Sequence, residues 1–240
     1  VVKAGAGLLA SWACAALAAA ADSPTTAQVA TIAGLFPPDQ AAALEKTLPA
    51  DREVTFRVRP PSGDAATGVL VYISPTDSGE LPASWIRVLD EKHLLWIAAD
   101  DFGNSKLAAE RTLVALMAVK LSERLRPPEA QRVWVAGFSG GGRVASRCVT
   151  LFARYFDGAL FMGGADFVKA PEPAATLMKS RRMVFLTGRH DFNRREMKSV
   201  SARYQDAGVT GLLLIDDSAL GHQLPPPDLL TRALDFLLQP

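Results

Sequence analysis

The chain has 240 residues, is 49% hydrophobic and 21% charged, and carries a formal net charge of +1. That length suits a single domain with a sizeable core. Lys and Arg are spread along it apart from a local cluster at 189–195, which excludes the clustered basic face of a nucleic-acid binder.

The first 21 residues hold one early Lys3, then an uncharged apolar run ending in Ala19-Ala20-Ala21 before Asp22-Ser23-Pro24. This is the layout of a secretory signal peptide and predicts export, to the periplasm or the medium. The run is too short and Ala-rich for a stable membrane span. An ordinary Ala-rich helix is one alternative. A lipid anchor on Cys14 is another, for which Ser11-Trp12-Ala13 is a poor lead. Without the leader Cys148 is the only cysteine, which rules out an internal disulfide. Its helical spacing with Val144 and Leu151 marks it as a small buried hydrophobe.

Residues 22–51 are rich in Ala, Pro and Thr and read as a lead-in, mobile or with a short helix over 40–48 packed on the domain. Residues 52–240 form the predicted catalytic domain. Val54, Phe56 and Val58 alternate with polar neighbours, which predicts a half-exposed edge strand. A turn follows at 60–64. Short apolar runs then recur at 68–73, 94–99, 132–138, 158–162, 183–187 and 211–215. Helical patterns lie near 80–90, 105–125, 141–155, 173–180, 194–207 and 227–238. Uninterrupted Val/Leu/Ile runs are typical of strands covered on both faces. Their alternation with helices predicts an α/β fold, a mostly parallel central sheet with helices on both faces. No long insertion follows the later strands, so a large lid domain is not expected.

The run at 132–138 leads into Gly137-Phe138-Ser139-Gly140-Gly141, followed by a helix rich in small residues. A G-x-S-x-G sequence between strand and helix is a nucleophile elbow, in which the serine hydroxyl is pushed out above the sheet. A Gly-rich helix N-terminus that binds phosphate is the plainer alternative, but the lysine of a P-loop is missing. In open parallel sheets, ligands bind outside the carboxyl ends of the strands. The run at 183–187 is followed by Gly188-Arg189-His190-Asp191, and the run at 211–215 by Asp216-Asp217-Ser218-Ala219-Leu220-Gly221-His222. The order Ser139, Asp191, His222 is that of a Ser…Asp…His triad. Serine needs an imidazole to take its proton, and a carboxylate orients and stabilises that imidazole. His93 precedes its strand, at the wrong end of the sheet, and His190 points away from its neighbour Asp191 in an extended segment. Asp191 has an alternative as a helix-capping residue, and Asp216 and Asp217 are the competing carboxylates. An oxyanion site needs backbone N–H donors; Gly140 is the first candidate. Thr76, in the loop Ser74-Pro75-Thr76-Asp77-Ser78-Gly79, is the second, since Pro75 has no N–H.

On these motifs, from about Arg52 onward, the chain resembles the α/β-hydrolase superfamily. Within it, the chain resembles the secreted, lid-poor esterases that include feruloyl esterases and polyhydroxybutyrate depolymerases. The resemblance implies catalysis by Ser139, Asp191 and His222 on a small-molecule or polymeric ester, with no cofactor. One departure is Ser74-Pro75, where those esterases carry a His-Gly pair. A peptidase or amidase on the same triad is the alternative enzyme. A non-catalytic binding module on the same fold, or an envelope-associated assembly factor, is the alternative of another class. Phe138 and Phe192 adjoin the proposed nucleophile and acid and are the substrate-binding candidates; Trp85, Phe102 and Phe167 are weaker ones. Arg189, Arg194 and Arg195 either favour an acidic substrate or form a solvated helix start. The loop 100–104 reads as helix-capping. No metal-ligand spacing or dinucleotide fingerprint is found, and the sequence assigns no oligomeric state.

Overall fold

The computed structural model describes residues 24–63, 66–125 and 132–239. The expected leader, with Cys14, lies outside the described residues. The elements in order are β1 (Thr26–Ala30), α1 (Ile32–Leu35), α2 (Pro38–Leu44), β2 (Val54–Arg59), β3 (Gly68–Ile73), a 3₁₀ turn (Ala83–Trp85), α3 (Ile86–Glu91), β4 (Leu94–Ala99), α4 (Ala108–Leu125), β5 (Arg132–Phe138), α5 (Gly140–Leu151), β6 (Gly158–Met162), α6 (Ala174–Met178), β7 (Arg182–His190), α7 (Arg194–Asp206), β8 (Gly211–Gly221) and α8 (Pro227–Leu237).

These strands form one eight-stranded sheet in the order β1-β2-β4-β3-β5-β6-β7-β8. The β1–β2 and β2–β4 pairs are antiparallel; β4 through β8 pair in parallel. Successive side chains of a strand point to opposite faces. Val69, Val71 and Ile73 of β3 therefore pack with Met117 of α4 and Val149 of α5. Leu70 and Tyr72 face the other way, onto Leu89 of α3 and Leu234 of α8. Both faces are thus dry, as the unbroken apolar runs require. Helix α4 buries most of its circumference between the sheet, α1 and α5, which explains why its sequence is apolar on nearly every side.

Two local expectations change. Strand β2 is not the edge, because β1 pairs along it from Thr26↔Val58 to Ala30↔Val54. The alternation in β2 reports that one face is less covered; it carries no information about whether a further strand bonds to its backbone. The described part of the segment 22–51 takes the second of its two expected forms, with other bounds: Ile32 and Leu48 are buried in the main core, and the short helix packed on the domain is α2, Pro38–Leu44, where the pattern suggested 40–48. Strands β7 and β8 run past the apolar limits at 187 and 215. Their backbones keep pairing through a bulge between Gly188 and His190, out to His190↔Gly221.

Each of the three candidate residues follows the carboxyl end of a strand: Ser139 after β5, Asp191 after β7, His222 after β8. The loop beyond His222 is anchored from below. Buried Trp85 donates its indole N–H to the Pro225 carbonyl, 3.0 Å away, and is itself wedged against Tyr72 and Trp96. The variant Trp85→Phe deletes that donor and leaves a cavity where the larger indole packed. We expect it to lower the unfolding free energy by about 2–4 kcal/mol, read from urea titration; an unchanged midpoint would show that neither the hydrogen bond nor the indole packing holds this region.

Candidate active site

The elbow is built by close backbone approach. Ser139 has φ +52° and ψ −121°, a conformation that costs a residue with a Cβ. The Ser139 N–H donates to the Met162 carbonyl at 2.8 Å, and its carbonyl accepts from Gly142 N–H at 3.0 Å. The turn is so tight that a Cβ on Gly137 would lie 2.3 Å from the Gly141 carbonyl oxygen. Only glycine fits there. The hydroxyl does not cap α5, which leaves it free for another partner.

That partner is His222. Its Nε2 lies 2.9 Å from Ser139 Oγ, and its Nδ1 lies 2.9 Å from Asp191 Oδ1. Asp191 is 5% exposed. Its Oδ1 also accepts the Asn193 N–H at 2.9 Å, and its Oδ2 accepts the Thr187 hydroxyl at 3.0 Å. An ionised carboxylate only accepts, so the imidazole proton sits on Nδ1 and Nε2 offers a lone pair to the serine. Gly163, at φ +58°, closes the underside: a Cβ there would stand 3.2 Å from both Asp191 Oδ2 and His222 Nδ1. Phe138 and Phe192 lie against the imidazole with ring centroids at 5.0 and 4.0 Å. Phe192 is 76% exposed, so apolar surface is open to solvent beside His222.

No protein-family model matches the chain, and no curated protein sequence does. Solved structures do. An esterase of Pyrococcus furiosus superposes with a TM-score of 0.62 at 15% identity, covering 90% of each chain. A dienelactone hydrolase from Anabaena variabilis gives 0.60 at 13% identity over 90% of this chain and 99% of that one. Acyl-protein thioesterase 2 of Zea mays gives 0.57 at 17% identity over 77% and 99%. This chain has the α/β-hydrolase fold.

On that fold the remaining candidates sort by what they touch. Asp216 takes two 2.7 Å hydrogen bonds from Arg194 and one from Lys198. Asp217 accepts the N–H groups of Ala219 and Leu220 at 2.8 Å each. Neither carboxylate is joined to His222, and Arg194 is engaged by Asp216. His190 is exposed, and His93 sits at the amino end of β4, opposite the site. Trp85 and Phe102 are core residues, and Phe167 packs on Tyr204. Asp100 takes the Gly79 N–H and Arg57, so the loop 100–104 is a brace. Burial pushes the Cys148 thiol up to about 12, which keeps it protonated and inert. Of the two oxyanion candidates, Gly140 is the first residue of α5, a position whose N–H has no partner within its own helix. The Thr76 N–H is engaged by Ser74 Oγ at 3.1 Å. Pro75 lets this loop fold back on its own serine. Among the described residues no group of three or more His, Cys, Asp or Glu is placed to hold a metal, and no helix is long and apolar enough to cross a membrane.

Three positioning residues escaped the sequence reading. Thr187 binds the far oxygen of Asp191 from the last apolar position of its run. Asn193 is half visible: its N–H closes an Asx turn on Asp191. Its Nδ2, however, donates to Gly163 O at 2.8 Å across 30 residues, a contact no local pattern encodes. Arg143 of α5 joins Asp166 and Glu196 of α7, locking the elbow helix to the acid loop.

The hydrogen bond from Arg143 outweighs burial and holds the Glu196 carboxyl below its ordinary value, as Arg194 does for Asp216. A lowered folded value means stability that is full above the unfolded-state value and is lost as pH falls through the folded one. Unfolding midpoints should therefore drop as pH falls below the ordinary carboxylate range, about pH 4. Glu196→Gln should flatten that drop, measured by thermal melts from pH 7 to 3; a parallel curve for the variant would contradict it.

Proposed function

We propose that this protein is a serine hydrolase that cleaves carboxylic esters through an acyl-enzyme. The observation that carries the reading is the unbroken line Asp191 Oδ1–His222 Nδ1, His222 Nε2–Ser139 Oγ, at 2.9 Å in both links. In the first step Ser139 Oγ attacks the ester carbonyl carbon as His222 Nε2 takes the hydroxyl proton. The carbonyl π pair becomes an oxyanion, facing the Gly140 N–H at the start of α5. The tetrahedral intermediate collapses by breaking the bond to the alcohol oxygen, to which His222 returns the proton. Water then gives its proton to His222 and attacks the acyl carbon. Collapse releases the acid and restores Ser139 with the proton from His222. Asp191 stays ionised throughout and stabilises the imidazolium.

An open site goes with this reading. The connection from β6 to β7 holds only the five-residue α6, and Phe192 stands exposed beside His222. Phe138 and Phe192 form the apolar bed for the acyl or alcohol group, which suits bulky or polymeric esters of the kind lid-poor secreted esterases take. The leader reading places this activity outside the cytoplasm.

Ser139→Ala should reduce kcat on a p-nitrophenyl ester by at least about 10⁴-fold with the fold intact. Asp191→Asn should cost about 10⁴-fold, because an amide donor at that place favours the wrong imidazole tautomer. Retention of more than a tenth of the activity in either variant would remove the mechanism. N-terminal sequencing of protein recovered outside the cells should begin at Asp22, whereas retention of residues 1–21 would overturn the leader reading.

A further inference from the structure

The loop between β4 and α4 brings a side-chain amide to the elbow. Asn104 donates its backbone N–H to the Pro75 carbonyl at 2.9 Å, which joins this loop to the one after β3. Its side-chain Oδ1 accepts from Arg111 Nη1 at 3.0 Å. Arg111 is 5% exposed and spends its other contacts on the Phe102 carbonyl, 3.0 Å, and the Ser74 carbonyl, 2.7 Å. All three acceptors are neutral, and among the described residues no ion pair includes Arg111. A guanidinium is donor-only. The carboxamide oxygen of Asn104 must therefore face Arg111, and its NH₂ must turn elsewhere.

The group lies against Gly140. A Cβ at Gly140 would stand 2.1 Å from Asn104 Oδ1 and 2.9 Å from Nδ2, so the amide rests on the residue that follows the nucleophile. Among the described residues no hydrogen bond uses Asn104 Nδ2, whereas the Thr76 N–H is already taken by Ser74 Oγ. Asn104 is exposed, but its Oδ1 is held by Arg111, so the amide presents Nδ2 as an open donor against Gly140, the residue after Ser139.

We infer that Asn104 Nδ2 is a side-chain donor to the oxyanion, set in place by the buried Arg111. This inference rests on the serine-hydrolase reading above. As Ser139 Oγ bonds to the carbonyl carbon, the carbonyl π pair moves onto oxygen, which accepts Nδ2–H together with the Gly140 N–H. When the leaving alcohol departs, the pair returns and the hydrogen bond relaxes. A donor that tightens only as charge develops acts on kcat.

The test uses Asn104→Asp and Asn104→Ala in the full chain, with kcat and KM on p-nitrophenyl acetate and thermal melts. Aspartate keeps an acceptor for Arg111, so its melting shows whether that brace survives; it has no N–H to give and adds a charge that opposes the oxyanion, so a kcat near wild type is incompatible with a donor there. Asn104→Ala removes the donor without adding that charge. The expected result is a kcat loss of about 100-fold or more in both variants, with KM within about threefold and the Asp variant melting no lower than wild type. A kcat for Asn104→Asp within about threefold of wild type would overturn the inference. Should the Asp variant fail to fold, the same threshold applied to Asn104→Ala decides. An inactive wild type with an unreactive Ser139 would instead remove the hydrolase reading, and this inference with it.

Discussion

The hydrogen bond between Asp191 Oδ1 and His222 Nδ1 joins two loops 31 residues apart in sequence, and the rest of the site is arranged to hold it. Thr187 and Asn193 saturate the carboxylate, so that it stays an acceptor aimed at one ring nitrogen. Trp85 pins the loop beyond His222 from under the sheet. Gly163 lets the two side chains meet without a methyl group between them. With Nδ1 fixed as the donor, Nε2 has one role left, toward Ser139 83 residues upstream. A freely turning imidazole would have to pay the entropy of ordering at each encounter; here the fold orders it in advance.

Two arginines extend that ordering to the elbow. Arg143 ties α5 to α7 through Glu196 and to the loop after β6 through Asp166. These groups are partly exposed, so the network is better understood as fixing geometry than as adding much stability. Arg111 is different. It is buried among carbonyls, and burial pulls its guanidinium down from the ordinary value, partly offset by the negative charge of Asp77 acting through space. Such a placement is costly, and what it secures is the joint position of Ser74, Phe102 and Asn104 around the start of α5.

The fold was legible because the sheet is covered on both faces. Runs of five to seven apolar residues announce β3 to β6 with their limits intact, and the order of Ser139, Asp191 and His222 follows from asking what stands just beyond each run. What stayed hidden has physical causes. The antiparallel β1 is mostly exposed and short, so Thr26–Ala30 shows no buried pattern. The ends of β7 and β8 continue through polar residues, where backbone pairing rather than burial defines the strand. Thr76 looked like a free donor because sequence shows which N–H groups exist, not which are already spent. Arg111, Asn104 and Asn193 act across loops, and a buried arginine inside an apolar helix gives no local sign of its partners.

The central claim is that Ser139 is a nucleophile made reactive by His222. Intact-mass analysis of the purified protein after exposure to a fluorophosphonate, with peptide mapping, tests it most directly. The account predicts a single adduct on Ser139 that is lost in His222→Ala. A folded wild-type protein that forms no adduct, or one that labels equally well without the imidazole, would contradict it.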